Sequence, residues 1–501
     1  MSEFATVISQ WPSDGLHGRR KIYTHKREIT LENVAQVASQ TLHTHLQNCA
    51  EIEYLYGYYK GKQDIRSRIK TIRPEISNKV LVNHANEIVT FKTAYLLGEP
   101  IQYVSVGNED DSSDGVKRLN EHMRFEMKDA KDKEVADWLH ICGVGVRMVV
   151  PRKQIEPGDA PFRVYTLDPR NAYCIYNSGL GEEKLGAVIR QCDENGSWYS
   201  CVYTDTHYFE IAGDVVITAK PHALGRVPVF EYVNNDSRMG SFESVIPLLN
   251  AINTVESNRV DDIEQIVQSI LVFENCSIAP EQFKELRRDG GIVVKGEPQL
   301  PAKVYSIKNE LGQTGTQTVV DDLYQKVLTI CGMPNRNGGS STSDTGTAVI
   351  YRDGFAEAES RAKDTEKSWL RSETDMLRMA LRICRDTPDE PQIEIDKLKV
   401  EFTRKNLSNI QSKAQVLVQL LNNDKVHPKY AYQASGIFAD TEEAYRAGME
   451  WSKQEQAETE KTLAEAMADE RRVSAFGQGN RTAEEESGEA VRNSEDGSGA
   501  T

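Results

Sequence analysis

The 501-residue chain contains no apolar run near 18 residues, so no transmembrane span is expected and no membrane partner is assigned. Its opening segment, MSEFATVISQWPSDG, lacks a basic region followed by an apolar core, so no secretory signal is expected. Cysteine is sparse and scattered, at positions 49, 142, 174, 192, 201, 276, 331 and 384, with no C-x-x-C pair. That spacing fits free thiols in a reducing cytoplasm and excludes a disulfide framework. Positive charge is short as well: 60 Lys and Arg stand against 76 Asp and Glu, a net charge of −16. High-affinity nucleic-acid binding draws on lysine and arginine displacing counterions, so a chain this acidic is a poor tight binder of nucleic acid.

Catalytic motifs are also missing. The glycine-rich stretch NRNGGSSTSDTGTAVIYRDG (335–354) invites comparison with a phosphate-binding loop, which needs G-x-x-x-x-G-K-[ST]. Here Gly339 and Gly346 are wrongly spaced, the lysine is absent, and the preceding segment has a helical rather than a strand pattern. No G-x-S-x-G occurs. His43 and His45 lie two apart, which puts them on different faces of a helix, unlike the i, i+4 pair of a zinc protease; both are expected at the surface. His140 and Cys142 have no second Cys/His pair nearby and are expected in the core. Asp261 and Asp262 are acidic neighbours able in principle to bind Mg²⁺, although adjacent helical carboxylates usually form a solvated face. No cofactor is expected.

What is present is a long, folded, mixed chain. Its 39% hydrophobic and 8% aromatic content supports two or more domains with real cores. Residues 1 to about 75 are charged and mostly helical in pattern, with a tyrosine-rich face in YLYGYYKGKQDIRSRIK (54–70). Leu81, His84, Ile88, Phe91, Tyr95 and Leu96 then recur at helical spacing until Gly98 and Pro100, after which IQYVSV alternates like a strand. VADWLHICGVGVRMVV (135–150) predicts a helix, a glycine turn and a strand. Residues 162–233 predict an antiparallel sheet of short strands.

From residue 241 to 275 one long helix is predicted, with Val245, Leu249, Ile252, Ile263, Ile266 and Ile270 in three- and four-residue steps and Pro247 in its first turn. About 28 residues of helix would span roughly 42 Å. Its middle, ESNRVDD (256–262), is polar. One reading is the solvent-facing stripe of a bundle helix. The other is that several copies line a channel, with the apolar stripe packed on neighbouring subunits and Glu256, Asp261, Asp262 and Glu264 making an acidic wall. A mixed insert (276–315), a second helix (316–335), the glycine-rich loop, and a long helix from Ala348 to Arg385 bent at Gly354 follow. A strand (391–403), further helices and a Gly/Ser/Glu-rich tail, disordered from about Val473, complete the chain.

This order of parts resembles the portal (head-to-tail connector) proteins of tailed bacteriophages, the type found in long non-contractile-tailed phages of Gram-positive hosts. YLLGEPIQY (95–103) is similar to the family's early helix stop, VYTDTHYFE (202–210) to wording in its β-region, and LGRVPVFEYVNND (224–236) to the segment entering its first stem helix. The resemblance spans about residues 30–450. It implies an α+β subunit of a ring, typically of twelve copies in virions, through which double-stranded DNA is packaged and later ejected. By position it implies a wing over 1–241, stem helices over 242–270 and 316–334, a clip over 271–315 and a tunnel loop over 335–347. The long bent helix then returns to the wing (348–404), crown helices follow (405–472), and an acidic tail (473–501) ends the chain.

The resemblance also implies roles for residues. Arg336, Asn337, Gly338, Gly339, Ser340, Ser341, Thr342, Ser343, Asp344 and Thr345 form the DNA-facing loop. Ile252, Glu256, Arg259, Asp261, Asp262, Ile263 and Glu264 form the stem's packing and channel surface, and Lys284, Arg287, Arg288 and Lys295 the clip's docking surface. The implied partners are further copies of the chain, passing DNA, the terminase packaging motor, head-completion or connector proteins, and capsid and scaffolding proteins. An acidic bore with few counterion-releasing contacts favours sliding over capture, and a Gly/Ser/Thr loop can follow a duplex through many registers. Two other readings stay open at this level: a metal-dependent nuclease or phosphotransferase using the acidic clusters, and a non-conducting coiled-coil adaptor.

Overall fold

Apolar alternation after residue 140 does produce antiparallel strands, but in two sheets rather than one. In the computed structural model the strands are β1 (Tyr23–Thr24), β2 (Gln102–Ser105), β3 (Val144–Pro151), β4 (Phe162–Leu167), β5 (Ala172–Asn177), β6 (Lys184–Cys192), β7 (Trp198–Tyr203), β8 (His207–Ala212), β9 (Val215–Pro221), β10 (Val229–Val233), β11 (Ile270–Glu274), β12 (Lys303–Ile307) and β13 (Leu398–Glu401). The helices are α1 (Val34–Tyr59), α2 (His84–Leu97), α3 (Asp110–Phe125), α4 (Lys128–Cys142), α5 (Ile246–Val267), α6 (Gln313–Cys331), α7 (Phe355–Arg385), α8 (Ile410–Leu421), α9 (Pro428–Ser435) and α10 (Thr441–Arg492). The structure describes residues 18–71, 73–106, 110–156, 158–267, 270–275, 281, 300–307, 313–335, 354–390, 392–402, 410–423, 425–438 and 441–492. Contacts divide the chain into one unit ending at Asn406 and a second beginning at Leu407. The fold is mixed α+β, as the sequence pattern predicts.

In the first unit a six-stranded sheet has the order β1-β5-β6-β7-β8-β9, antiparallel except for β1 beside β5. A separate three-stranded sheet has the order β10-β3-β4. The split follows from β3: VGVRMV is buried without alternation, as a central strand covered on both faces must be. The chain enters it from α4 through Gly143, whose φ of +84° suits glycine, and whose Cβ, if present, would lie 2.2 Å from the Arg238 carbonyl oxygen. Helix α1 packs Val34, Val37 and Ala38 onto the larger sheet. This helix ends at Tyr59, so most of the helical pattern expected to continue towards residue 75 is replaced by a short 3₁₀ turn (Asp64–Ser67) and extended chain. His45, expected at the surface, is 1% exposed, stacked on Tyr173 and hydrogen-bonded through Nε2 to the Arg170 carbonyl; His43 is exposed.

Helix α7 closes the smaller sheet. Trp369, Glu373, Met376, Leu377, Ala380 and Cys384 fall on one face at three- and four-residue steps and are buried, while its first half carries surface pairs such as Glu357–Arg361. Gly354, expected to bend this helix, instead precedes its first turn in the left-handed region (φ +82°). At the centre of the packing lies a closed charge network. Lys128 Nζ is 2.8 Å from Glu373 Oε1 and 2.7 Å from Asp132 Oδ2, and Arg147 reaches both carboxylates. The hydroxyls of Tyr103 and Tyr232 donate to Glu373 at 2.6 and 2.7 Å. Two cations and two carboxylates balance, so four buried charges from α4, β3 and α7 are all paired.

In the second unit α8, α9 and α10 are consecutive, with Pro428 in the first turn of α9 and Gly436 (φ +57°) after its last. Helix α10 is continuous to Arg492. Lys453–Met467 of that helix are exposed. Its Ala-, Glu- and Arg-rich sequence therefore extends the helix by local propensity, without the apolar period by which a packed helix is recognised.

Burial alone would raise the Glu373 carboxyl, but Lys128 and Arg147 hold it well below its ordinary value of 4.5. Its stabilising contribution is therefore fully present above about pH 4.5 and is lost as pH falls towards the lowered folded value. Glu373→Ala, which leaves two buried cations with one carboxylate, should lose about 3–5 kcal/mol in urea unfolding at pH 7. Melting temperature should fall on acidification below about pH 4.5 more steeply in the unmodified protein than in Glu373→Gln.

Candidate functional site

Helix α5 changes character along its length. At its start Val245, Ile246, Leu249 and Ile252 enter a core with Ile52, Leu55, Tyr58, Ile88, Val327 and Leu328. Beyond Ile252 the inward-facing positions become polar at four-residue steps: Asn253, Ser257 and Asp261 are each no more than 1% exposed. They face an extended segment, residues 78–82, that belongs to no sheet. The amide N–H of Asn78 donates to Asp261 Oδ1 (2.7 Å), that of Val80 to Ser257 Oγ (3.0 Å) and that of Val82 to Asn253 Oδ1 (2.8 Å).

The match is geometric. Four helical residues rise about 6.0 Å and two extended residues span about 6.6 Å, so every second amide meets every fourth side chain. The helix thus serves as the missing strand for a half-buried segment whose amides would otherwise lack protein acceptors. The other polar atoms are used too. Asn253 Nδ2 donates to Gln63 Oε1 (2.6 Å) and Ser257 Oγ to the Asn253 carbonyl (2.7 Å). Asp261 Oδ2 pairs with Lys70 (2.8 Å) and Arg68 (3.0 Å). Burial tends to raise the Asp261 carboxyl, but Lys70, Asn78 and Arg68 outweigh it and lower it.

The opposite flank of α5 meets α6. Arg259 donates to Gln317 Oε1 (2.7 Å) and lies 3.8 Å from Glu256. Nearer the root, Val320, Val327, Leu328 and Cys331 of α6 are buried. The pair leaves apolar side chains uncovered: Val260 and Ile263 on α5 are 37% and 45% exposed, and Val319 and Ile330 on α6 are 49% and 48% exposed. Helix α5 ends at Val267, and Ile270, expected to continue its stripe, begins β11. β11 pairs with β12 from Ile270↔Ile307 to Glu274↔Lys303, an antiparallel ribbon that frames the insert.

The predicted acidic wall is corrected in part. Asp261 is turned inward onto Arg68 and Lys70, and Glu264 accepts from Asn78 (2.9 Å). Glu256 stands beside Arg259; Asp262 is the exposed member of the four. Asp261 and Asp262 diverge, and the described residues hold no group of three or more metal-ligand side chains. Ile252 is 1% exposed in the subunit's own core, whereas Ile263 is not covered. Arg336–Thr345, Lys284, Arg287, Arg288 and Lys295 lie outside the described residues. Sequence reading missed the contribution of residues 60–83; the signal was the four-residue spacing of Asn253, Ser257 and Asp261 beside a segment with neither helical nor paired-strand context.

The ladder makes Asn78, Val80 and Val82 amides slow to exchange with deuterium in the native protein. Ser257→Ala should free the Val80 amide to exchange faster and cost about 1 kcal/mol of stability, with the unfolding cooperativity unchanged.

No helix among the described residues is long and apolar enough to cross a membrane. A comparison with curated proteins finds no match. The family model described as "Phage portal protein, SPP1 Gp6-like" matches residues 39–467, most of the chain and all of α5 and α6, and the chain belongs to that family.

Proposed function

We propose that this portal protein assembles head-to-tail into a ring, of twelve copies in the virion, at one vertex of the capsid. Double-stranded DNA passes through its centre during packaging and ejection. The supporting observation is the one-sided closure of the stem: α5 is sealed by residues 63–82 and by α6, yet Val260, Ile263, Val319 and Ile330 remain uncovered. Exposed apolar side chains on two adjacent helices fit a heterologous interface between copies.

Within that ring α5 and α6 are the stem and the insert framed by β11 and β12 is the clip. Lys284, Arg287, Arg288 and Lys295 of the clip meet the terminase motor and later the connector proteins. Arg336–Thr345 is the loop that touches DNA, with Arg336 making transient phosphate contacts. The second unit forms the crown. The family is structural rather than catalytic, and this chain supplies no ATPase of its own, since the P-loop sequence is absent and the motor is a separate protein.

Ile263→Asp should leave the subunit folded but reduce rings by tenfold or more in sedimentation velocity. Ile252→Asp should unfold the stem root as well, because that side chain is internal. Unchanged sedimentation of Ile263→Asp would contradict the stem assignment. Deleting Asn337–Thr345 should leave rings intact and lower DNA packaging yield; normal yield would remove the loop from the account.

A further inference from the structure

Lys92, on α2, is half-buried and makes no hydrogen bond or ion pair among the described residues. It lines a cavity of about 20 Å³, partly open to solvent, whose walls include Phe91 and Leu96 of α2, His140 of α4, and Ala358 and Arg361 of α7. A space of this size admits one particle of water or halide dimensions and is too small for a phosphate group.

His140 faces the same cavity. The residue is 2% exposed, its Nδ1 lies 2.9 Å from Ser241 Oγ, and its buried Nε2 has no hydrogen-bond partner among the described residues. Burial, and then Lys92, push its pKa down to about 3, so the ring is neutral and carries a single N–H. Ser241 Oγ accepts from Asn234 Nδ2 at 3.4 Å and has its own proton to give to Nδ1. The ring proton then sits on Nε2, an orphaned buried donor that calls for an acceptor in the cavity.

The side chains lining the cavity include two cations and no carboxylate. Arg361 is answered at the surface, where its Nε donates to Glu357 Oε1 at 2.8 Å; Lys92 is not answered. Burial lowers the Lys92 pKa, and the neighbouring Arg361 adds to the effect. A water in the cavity would accept from Lys92 and His140 but leave the ammonium charge uncompensated, whereas a monovalent anion accepts from both and cancels it. We propose that this cavity is a binding site for a halide-sized monovalent anion, held by Lys92 Nζ and His140 Nε2–H. Gly332 lets Arg361 lie alongside it, since a Cβ there would stand 2.8 Å from Arg361 Cγ. The bound anion ties α2 and α4 to the early turns of α7, beside the point where α6 ends.

The test uses the full-length protein, with chloride and bromide as probes and gluconate, too large for the cavity, as the control at equal ionic strength. In urea unfolding the folded-to-unfolded ratio should rise with chloride and saturate, by about tenfold at 100 mM for a site half-filled near roughly 10 mM. Lys92→Met, which keeps the stem and removes the charge, should abolish the difference between chloride and gluconate, and Lys92→Arg should retain part of it. Crystals of the unmodified protein grown in bromide should show an anomalous peak between Lys92 and His140, a measurement that holds even where Lys92→Met fails to fold. Coincident chloride and gluconate curves, a chloride effect undiminished in Lys92→Met, or a water in the cavity with no bromide signal would each overturn the proposal.

Discussion

Three side chains on one ridge of one helix decide how this subunit can be used. Asn253, Ser257 and Asp261 take the amides of Val82, Val80 and Asn78, and in doing so close one flank of α5 from within the chain. Without them the amides of these half-buried residues would lose their acceptors. With them the helix stands beside α6 with polar groups satisfied and apolar groups left over. What remains uncovered on this pair of helices is apolar: Val260 and Ile263 on α5, Val319 and Ile330 on α6.

The first unit gains rigidity of a different kind. The network of Lys128, Asp132, Arg147 and Glu373 ties α4, β3 and α7 together at a point where four charges have been removed from water. Buried ion pairs contribute little net stability against an apolar alternative, yet they penalise any arrangement that separates the partners. The network therefore fixes the position of α7, whose first turn follows directly on Gly354 where the glycine-rich stretch returns to the fold.

Much of this was legible in the sequence because period and punctuation carry local physics. The stop of α2 at Leu97 before Gly98, the α4–Gly143–β3 turn and the amphipathic second half of α7 all follow from residue pattern. Partnership was less legible. The polar run Glu256–Asp262 looked like a solvated or channel-lining belt, because periodicity records which positions are polar and not what they bind. Asp261 turned inward since Arg68 and Lys70, nearly 200 residues earlier, arrive there through tertiary folding. His45 was misplaced for the same reason: the Arg170 carbonyl and the Tyr173 ring that bury it come from a distant strand region. Ile270 left the helix because its partner Ile307, across the insert, offered a strand ladder instead.

Electron cryomicroscopy of the assembled protein examines the partition of α5 most directly. The account predicts closed rings with an open axis, in which the Asn253–Ser257–Asp261 ladder is intact within each subunit and Ile263 is covered by a neighbouring copy. Assemblies without an axial opening, or rings in which Ile263 stays in water while residues 78–82 leave α5, would contradict it.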